Sequence, residues 1–87
     1  MLVKEKVYER DNGLCVWCGS PGDPVVHFIA RSQGGRGVEQ NIICGCAWCH
    51  SQYDQTDKRE VYREKAREYL KSQYPDWKEE DLYYKKW

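Results

Sequence analysis

Two short stretches decide the fold of this chain: residues 15–18 read Cys-Val-Trp-Cys, and residues 46–50 read Cys-Ala-Trp-Cys-His. In each stretch two residues separate the cysteines, so one tight turn can direct both thiolates at a single ion. Four thiolates complete the closed tetrahedral shell of a structural zinc site. The sequence therefore predicts one structural Zn²⁺ held by four thiolates, those of Cys15, Cys18, Cys46 and Cys49.

The fifth cysteine, Cys44, lies in an apolar segment, where a packed free thiol is expected. Cys44 is only two residues from Cys46, so an alternative is that Cys44 takes the place of Cys46 as a ligand. The two-residue spacing between Cys46 and Cys49 suits a metal-binding turn better. A second alternative treats the cysteines as buried hydrophobic or redox-active side chains. A closed shell of four thiolates leaves no open coordination position, so any chemistry must come from other residues.

The length and composition of the chain fit one small domain, residues 1–87, near the lower size limit at which a hydrophobic core suffices. Hydrophobic residues make up 40% of the chain and charged residues 32%, with a mean hydropathy of −0.94. No stretch is apolar for long enough to cross a membrane or to act as an export signal. We therefore expect a cytoplasmic protein without a membrane partner, in a compartment where reduced thiols favour metal binding over disulfides.

The charge balance gives no global sign of nucleic-acid binding, because 14 basic and 14 acidic residues give a net charge of zero. The distribution of charge is more informative. From Pro24 to His50 the only charged residues are Arg31, Arg36 and Glu39. A local basic loop on a neutral protein is compatible with weak, salt-sensitive contact to phosphate groups.

The first half of the chain predicts a helix followed by a two-stranded hairpin. Apolar residues at helical spacing run over Leu2–Arg10, and residues 11–13 read Asp-Asn-Gly, a strong stop signal. β-Branched and aromatic residues predict strands at Val25–Ala30 and Asn41–Cys44. The loop between these strands has three glycines within four residues, which is typical of a functional loop.

Two helices are predicted after the hairpin. One begins at about Ala47, and the next is capped by Thr56 or Asp57 and runs to about Ser72. The apolar face of this second helix is expected to consist of Val61, Tyr62, Ala66, Tyr69 and Leu70.

The segment after Pro75 is short and rich in aromatic residues. Asp76 and Glu79 have the spacing of a capping box, which predicts a last short helix. The large side chains of this tail are expected to extend a thin core or to form a surface for a second copy or a larger protein partner, with stacking on bases as an alternative. These side chains are Trp77, Leu82, Tyr83 and Trp87. Trp17 and Trp48 are expected to cover the zinc sulfurs or to pack on the N-terminal helix.

The chain resembles the zinc-containing HNH endonucleases, because four motifs occur in the order and at the spacing that are typical of that family. They are the first Cys-x2-Cys, the His-to-Gly-Gly stretch of residues 27–35, Asn41, and the Cys-x2-Cys-His of residues 46–50. The resemblance covers Val7 to Asp54 and leaves residues 55–87 as a helical tail. It implies an α+β, treble-clef-like fold with the ββα-metal motif, and it implies hydrolysis of phosphodiester bonds in DNA. Many small members of that family are encoded by phages or other mobile elements, which would place their action in a host cytoplasm.

The resemblance also implies a role for each matching residue. His27 matches the general base that activates water, and Asn41 matches the asparagine that braces the loop, although a simple turn residue is its alternative. His50 matches the histidine that binds the catalytic cation, for which Mg²⁺, Mn²⁺ or Ni²⁺ are suitable. Asp54 lies one helical turn further on and can share that cation, or it is a solvated charge or a helix cap.

One position departs from the family pattern. Many HNH enzymes have Asp or His directly before the general base as a further cation ligand, whereas this chain has Val26. Either His50 and Asp54 hold the cation with water and phosphate oxygens, or the chain is a non-catalytic zinc module that binds DNA or protein. Arg31 and Arg36 are placed to contact neighbouring DNA phosphates, with an ordinary solvated loop as their alternative.

Overall fold

Three α-helices and a two-stranded antiparallel sheet make up the fold in a computed structural model, which describes residues 2–55 and 57–83, with only the backbone of residue 55. The elements follow one another as α1 (Val3–Arg10), β1 (Asp23–His27), β2 (Ile42–Gly45), α2 (Ala47–Gln55) and α3 (Arg59–Gln73). Short 3-10 turns occupy Arg31–Gln33, Glu39–Asn41 and Glu79–Leu82. The predicted α+β class is confirmed, and the chain is small and compact, with a radius of gyration of 12.2 Å.

The sheet separates two layers of packing. All four residues of β2 are buried, which is typical of a strand that is covered on both faces. On one face, Ile42 and Cys44 pack against Val7 of α1. On the other face, Ile43 and Val26 belong to a larger core that includes α3 and the C-terminal segment. The N-terminal helix and the tail are therefore both needed to bury this small sheet.

The strands are shifted from their predicted positions. β1 ends at His27 instead of Ala30, and β2 begins at Ile42 instead of Asn41. The physical reason is that Asn41 is the last residue of a 3-10 turn. Its side-chain amide binds the N–H and the carbonyl of Ile29, so these backbone groups do not pair with a strand. Register is kept by pairs that include Val26 with Ile43 and His27 with Ile42.

The capping and the apolar face of α3 also differ from the predictions. The helix begins at Arg59 without a side-chain cap, so the predicted cap at Asp57 is wrong, and Thr56 lies outside the described residues. Val61 is 58% exposed and does not contribute to the core, whereas Ala66 and Leu70 are fully buried as predicted.

The C-terminal segment extends the core, which confirms one of the two expectations for its aromatic residues. Trp77 and Leu82 are buried in the same cluster as Phe28 and Leu70, so neither is available as a partner surface. Tyr83 is 37% exposed and pairs with Gly35 in an isolated bridge. The predicted role of Trp87 falls outside the described residues.

The predicted capping box between Asp76 and Glu79 is wrong. Glu79 is the first residue of a 3-10 turn, and its carboxylate accepts hydrogen bonds at 2.8 Å from Arg63 and at 3.0 Å from Arg67. These guanidinium groups outweigh the burial of Glu79 and lower the pKa of its carboxyl group. Tertiary ion pairing with α3 therefore replaces the local cap.

None of the described helices combines the length and the apolar character that a membrane crossing requires. The longest of them, α3, has 15 residues, and many of these are charged.

Replacing Leu82 by Ala should lower the free energy of unfolding by about 2–5 kcal/mol, because the side chain is 2% exposed and its removal leaves a cavity. Chemical unfolding followed by circular dichroism, with zinc present, measures this change. Val61→Ala is the matched control on an exposed surface and should change stability by no more than about 0.5 kcal/mol. Equal stability of the two variants would contradict the packing of the tail.

Candidate functional site

The four predicted cysteine ligands form a compact sulfur cluster. The Sγ atoms of Cys15, Cys18, Cys46 and Cys49 all lie within 4.8 Å of one another, and those of Cys18 and Cys46 are 3.6 Å apart. A tetrahedral ion with bonds of about 2.3 Å separates its sulfur ligands by about 3.8 Å. The cluster therefore has the donor chemistry and the size to hold a metal ion such as zinc.

Backbone hydrogen bonds shape both cysteine turns. The Cys15 N–H donates to the Ser20 carbonyl at 2.6 Å, and the Gly19 N–H returns to the Cys15 carbonyl at 2.9 Å. At the second pair, the Cys49 N–H donates to the Cys46 sulfur at 3.4 Å, and Cys49 lies in the first turn of α2. The four sulfur atoms are thus positioned by backbone geometry at the ends of two short turns.

The protonation of these thiols differs between the exposed and the buried members. Hydrogen bonds from the side chain and backbone of Ser20 lower the pKa of Cys18 to about 6. Burial raises the pKa of Cys49. Metal binding requires thiolates, so loading the cluster releases protons and depends on pH.

Cys44 lies outside the cluster, as the first of its two expected arrangements predicts. Its side chain is fully buried, and its Sγ is 3.9 Å from the carbonyl oxygen of Val7. Burial raises the pKa of this thiol to about 12, which is typical of an inert packed cysteine. Cys46, and not Cys44, is the member of the sulfur group.

His27, at the end of β1, opens into a surface cavity of about 590 Å³. Burial lowers the pKa of this histidine. A hydrogen bond with the backbone of Val25 raises it in part, and the positive charges of Arg31 and Lys4 lower it further. The imidazole is consequently neutral at physiological pH, the form in which it can accept a proton.

His50 and Asp54 form a pair on α2. The His50 Nε2 lies 3.1 Å from the Asp54 Oδ2, and both side chains are open to solvent, at 35% and 52% exposure. Neighbouring ligands of an octahedral cation are separated by roughly 3 Å. The two atoms are in direct hydrogen-bonding or ionic contact at a distance that two ligands of one ion also have, and in the described parts of the chain only the cysteine cluster unites three or more metal-ligating side chains.

Tyr53 ties α2 to the end of β1. Its hydroxyl donates a 2.6 Å hydrogen bond to the carbonyl of Phe28, the residue that follows His27. Tyr53 is buried, and its ring lies 5.6 Å from that of Trp17. The helix that carries His50 is therefore anchored one residue away from His27, a contact that the sequence analysis did not anticipate.

Asn41 braces the loop that follows β1. The side-chain amide is fully buried and makes three hydrogen bonds: it accepts from the Ile29 N–H at 2.8 Å and donates to the Ile29 and Arg36 carbonyls at 3.1 and 2.8 Å. The predicted bracing is confirmed as a set of hydrogen bonds, while a contribution to catalysis stays a prediction.

Val26 faces the core instead of the site. It is fully buried and pairs with Ile43 in the sheet. A side chain at this position is separated from solvent, so β1 offers no cation ligand beside His27.

The two loop arginines lie in different places. Arg31 is exposed and lines the cavity of His27. Arg36 is directed toward the C-terminal segment. Its guanidinium donates to the Asp81 carbonyl at 3.2 Å, and its backbone N–H donates to the Leu82 carbonyl at 2.8 Å. The structure therefore brings Arg31, but not Arg36, to the predicted general base.

The first helix contributes residues that the sequence analysis missed. Arg10 donates to the Glu39 and Ile42 carbonyls at 2.8 and 2.7 Å and to both oxygens of Asp11. It thereby fixes α1 to the start of β2. Lys4 also lines the cavity of His27. Neither role has a local sequence signal, because both depend on residues that are distant along the chain.

The tryptophans of the two cysteine turns differ in their surroundings. Trp17 donates to the Tyr62 carbonyl at 2.9 Å and packs on α2 and α3, so it does not pack on the N-terminal helix as predicted. Trp48 is 68% exposed and contributes little to the core.

Comparisons of this chain with protein-family models, curated proteins and solved structures return no match. The functional argument therefore depends on the residues and contacts described above.

Replacing Cys49 by Ser should abolish binding of one equivalent of zinc and the cooperative unfolding transition, because metal binding in small zinc domains contributes on the order of 10 kcal/mol to folding. Metal analysis of the purified protein and thermal unfolding measure both effects. Cys44→Ala is the matched control and should retain one zinc. One zinc per chain in both variants would contradict the assignment of the four ligands.

Proposed function

We propose that this chain is a metal-dependent HNH endonuclease that hydrolyses phosphodiester bonds in DNA. The observation that carries the proposal is the juxtaposition of His27 with the α2 helix, which presents His50 and Asp54 and is hydrogen-bonded through Tyr53 to the residue after His27. A neutral imidazole beside a pair of cation ligands is the arrangement that metal-assisted hydrolysis needs.

The ββα-metal motif of this proposal consists of β1, β2 and α2. Zn²⁺ held by the four cysteines would fix the turn after α1 to the start of α2 and leave no coordination position for substrate. The zinc is therefore structural in this proposal, and Asn41 supports the proposal by bracing the loop that follows His27.

In the proposed reaction, His27 removes a proton from a water molecule that attacks phosphorus. The bond from phosphorus to the 3′ oxygen breaks as the new bond to the water oxygen forms, and the products are a 5′ phosphate and a 3′ hydroxyl. A divalent cation at His50 and Asp54 would polarise the phosphate and stabilise the charge on the leaving oxygen. Arg31 holds positive charge beside the reacting group.

The cation in this proposal is Mg²⁺, Mn²⁺ or Ni²⁺. Two protein ligands are few, but Mg²⁺ commonly keeps several waters and binds substrate phosphate directly. An imidazole ligand favours Mn²⁺ or Ni²⁺ over Mg²⁺. The buried Val26 is consistent with a site in which water and phosphate oxygens complete the shell.

A second candidate is a non-catalytic zinc module that binds DNA or protein. The observation that favours it is that Val26 is fully buried, so β1 supplies no ligand at the position where many HNH enzymes have one. The two candidates differ in one outcome, which is cleavage of DNA.

The proposed setting is the cytoplasm, or a host cytoplasm if a phage or another mobile element encodes the chain. Reduced thiols there would keep the cysteine cluster available to zinc. A chain of this size has little surface for reading a base sequence, so the proposal includes low specificity or a homodimer or larger partner.

His27→Ala should reduce plasmid cleavage by about 10²–10⁴-fold, because removal of a general base typically costs that much. The assay follows supercoiled DNA in the presence of Mg²⁺, Mn²⁺ or Ni²⁺, and zinc content and DNA affinity are measured in parallel. Both should remain at the level of the unmodified chain, since the imidazole is partly exposed, uncharged and outside the sulfur cluster.

Lys71→Ala is the control variant, on an exposed position of α3. Cleavage at an unchanged rate by His27→Ala would contradict the assignment of His27 as the general base. A zinc-loaded chain that binds DNA but cuts with none of the three cations would establish the second candidate instead.

The pH profile of kcat/KM should fall on the acid side with a midpoint below pH 6.5, because activity needs neutral His27 and burial and nearby cations lower the pKa of its imidazole from 6.5. Arg31→Gln removes one of these cations and should move the midpoint upward, whereas Arg59→Gln should not. A midpoint above pH 7 in the unmodified chain would contradict the assignment of His27 as the base.

A further inference from the structure

The open cavity at His27 is lined by residues from separate parts of the chain. The first turn of α1 supplies Lys4, and the loop after β1 supplies Arg31 and Gly35. No carboxylate is among the described residues that line the cavity. Its walls are therefore cationic or uncharged throughout.

The two cations that line this cavity, Arg31 and Lys4, form no ion pair with the described residues of the protein. Within residues 2–55 and 57–83, Arg31 is the one arginine without a described protein partner. The other five contact carboxylates, a carbonyl or a ring: Arg10 binds Asp11, Arg36 binds Asp81, Arg59 lies over Tyr53, and Arg63 and Arg67 bind Glu79.

Lys4 differs from its neighbour Lys6 in the same way. Lys6 lies 3.7 Å from Glu39, whereas no described ion pair involves Lys4. Two unpaired cations beside one cavity without a carboxylate produce a positive potential that attracts an anion.

The shape of the loop leaves room for that anion. A Cβ atom at Gly37 would meet no atom within 4 Å, so this wall is open. A Cβ at Gly35 would lie 1.8 Å from the Ile29 carbonyl oxygen, so the loop keeps this close course only with glycine there. The cavity accommodates a group larger than one ion, such as a segment of sugar-phosphate backbone.

We propose that Lys4 and Arg31 bind a phosphate group of the DNA strand next to the phosphate that is cleaved. This inference rests on the proposed endonuclease function. The substrate strand would run from the His50–Asp54 pair, past His27, to the first turn of α1. Lys4 is then a substrate-positioning residue contributed by the N-terminal helix, and the strand contacts that helix as well as α2.

The test measures binding of a fluorescein-labelled DNA duplex by anisotropy at several salt concentrations, with zinc-loaded protein and no added divalent cation. Lys4→Gln and Arg31→Gln should each reduce the slope of log affinity against log salt, and the double variant should reduce it by about 0.9, the value for one lost phosphate contact on duplex DNA. At about 0.1 M salt the double variant should bind roughly five- to tenfold more weakly.

The matched controls are Lys71→Gln and Arg59→Gln, which remove the same charges from α3. An unchanged slope in both cavity variants, or equal losses in the cavity and control variants, overturns the proposal. The result is independent of cleavage: a chain that never cuts but loses slope in the cavity variants retains the phosphate site, and a chain that cuts without these losses retains only the endonuclease function.

Two sources of a phosphate group are distinguished by proton resonances of the His27 ring. Titration with a short DNA duplex should shift them at micromolar concentration, whereas sodium phosphate at constant ionic strength should shift them only at millimolar concentration. Stronger binding of free phosphate than of DNA would overturn the proposal of a strand site and indicate a site for a small phosphorylated ligand.

Discussion

The sulfur cluster is the constraint on which the rest of this structure depends. Two turns that are separated by 27 residues meet with their four Sγ atoms within 4.8 Å, which fixes the segment before β1 to the first turn of α2. A chain of 87 residues buries only a thin core, so a metal ion bound by this cluster would contribute a large share of its stability. The hairpin between the two turns carries His27 and Asn41, and it is thereby tied at both ends to the sulfur cluster.

Hydrogen bonds of buried side chains convert this framework into a site of defined geometry. Asn41 connects Ile29 to Arg36 and so sets the course of the loop, Tyr53 fixes α2 to the end of β1, and Arg10 holds α1 against the start of β2. Each of these groups would be costly to bury without its partners. Their combined effect is to fix α1 and α2 relative to the hairpin that carries His27.

The sequence predicts those features that depend on local spacing. The cysteine turns and the order of helices and strands follow from motifs of a few residues, and the structure agrees with them. The bracing by Asn41 was implied only by the family resemblance, and its hydrogen bonds to Ile29 and Arg36 are consistent with it. Failures occur where distant residues compete with local signals. Glu79 has the spacing of a cap partner for Asp76, but Arg63 and Arg67 of α3 bind it instead, because charged hydrogen bonds in a partly buried place are stronger than a surface cap.

The cavity at His27 was unpredictable for the same reason. Lys4 and Arg31 are 27 positions apart in sequence, and only the packing of α1 on the sheet brings them to one cavity. Arg36 shows the converse case, since a basic loop residue that resembles a phosphate ligand is bound to the tail. Charge in a sequence indicates which side chains can contact a phosphate, and tertiary packing decides which of them are free to do so.

The proposed function requires that the cysteine cluster, with zinc bound, holds His27 close to a cation at His50 and Asp54. Paramagnetic Mn²⁺ tests it directly, because the chain has two histidines whose ring signals can be followed by nuclear magnetic resonance. Substoichiometric Mn²⁺ should broaden the signals of both His50 and His27, and Asp54→Ala should abolish the effect. A His27 signal that stays sharp, or broadening that is unchanged in Asp54→Ala, would contradict the account.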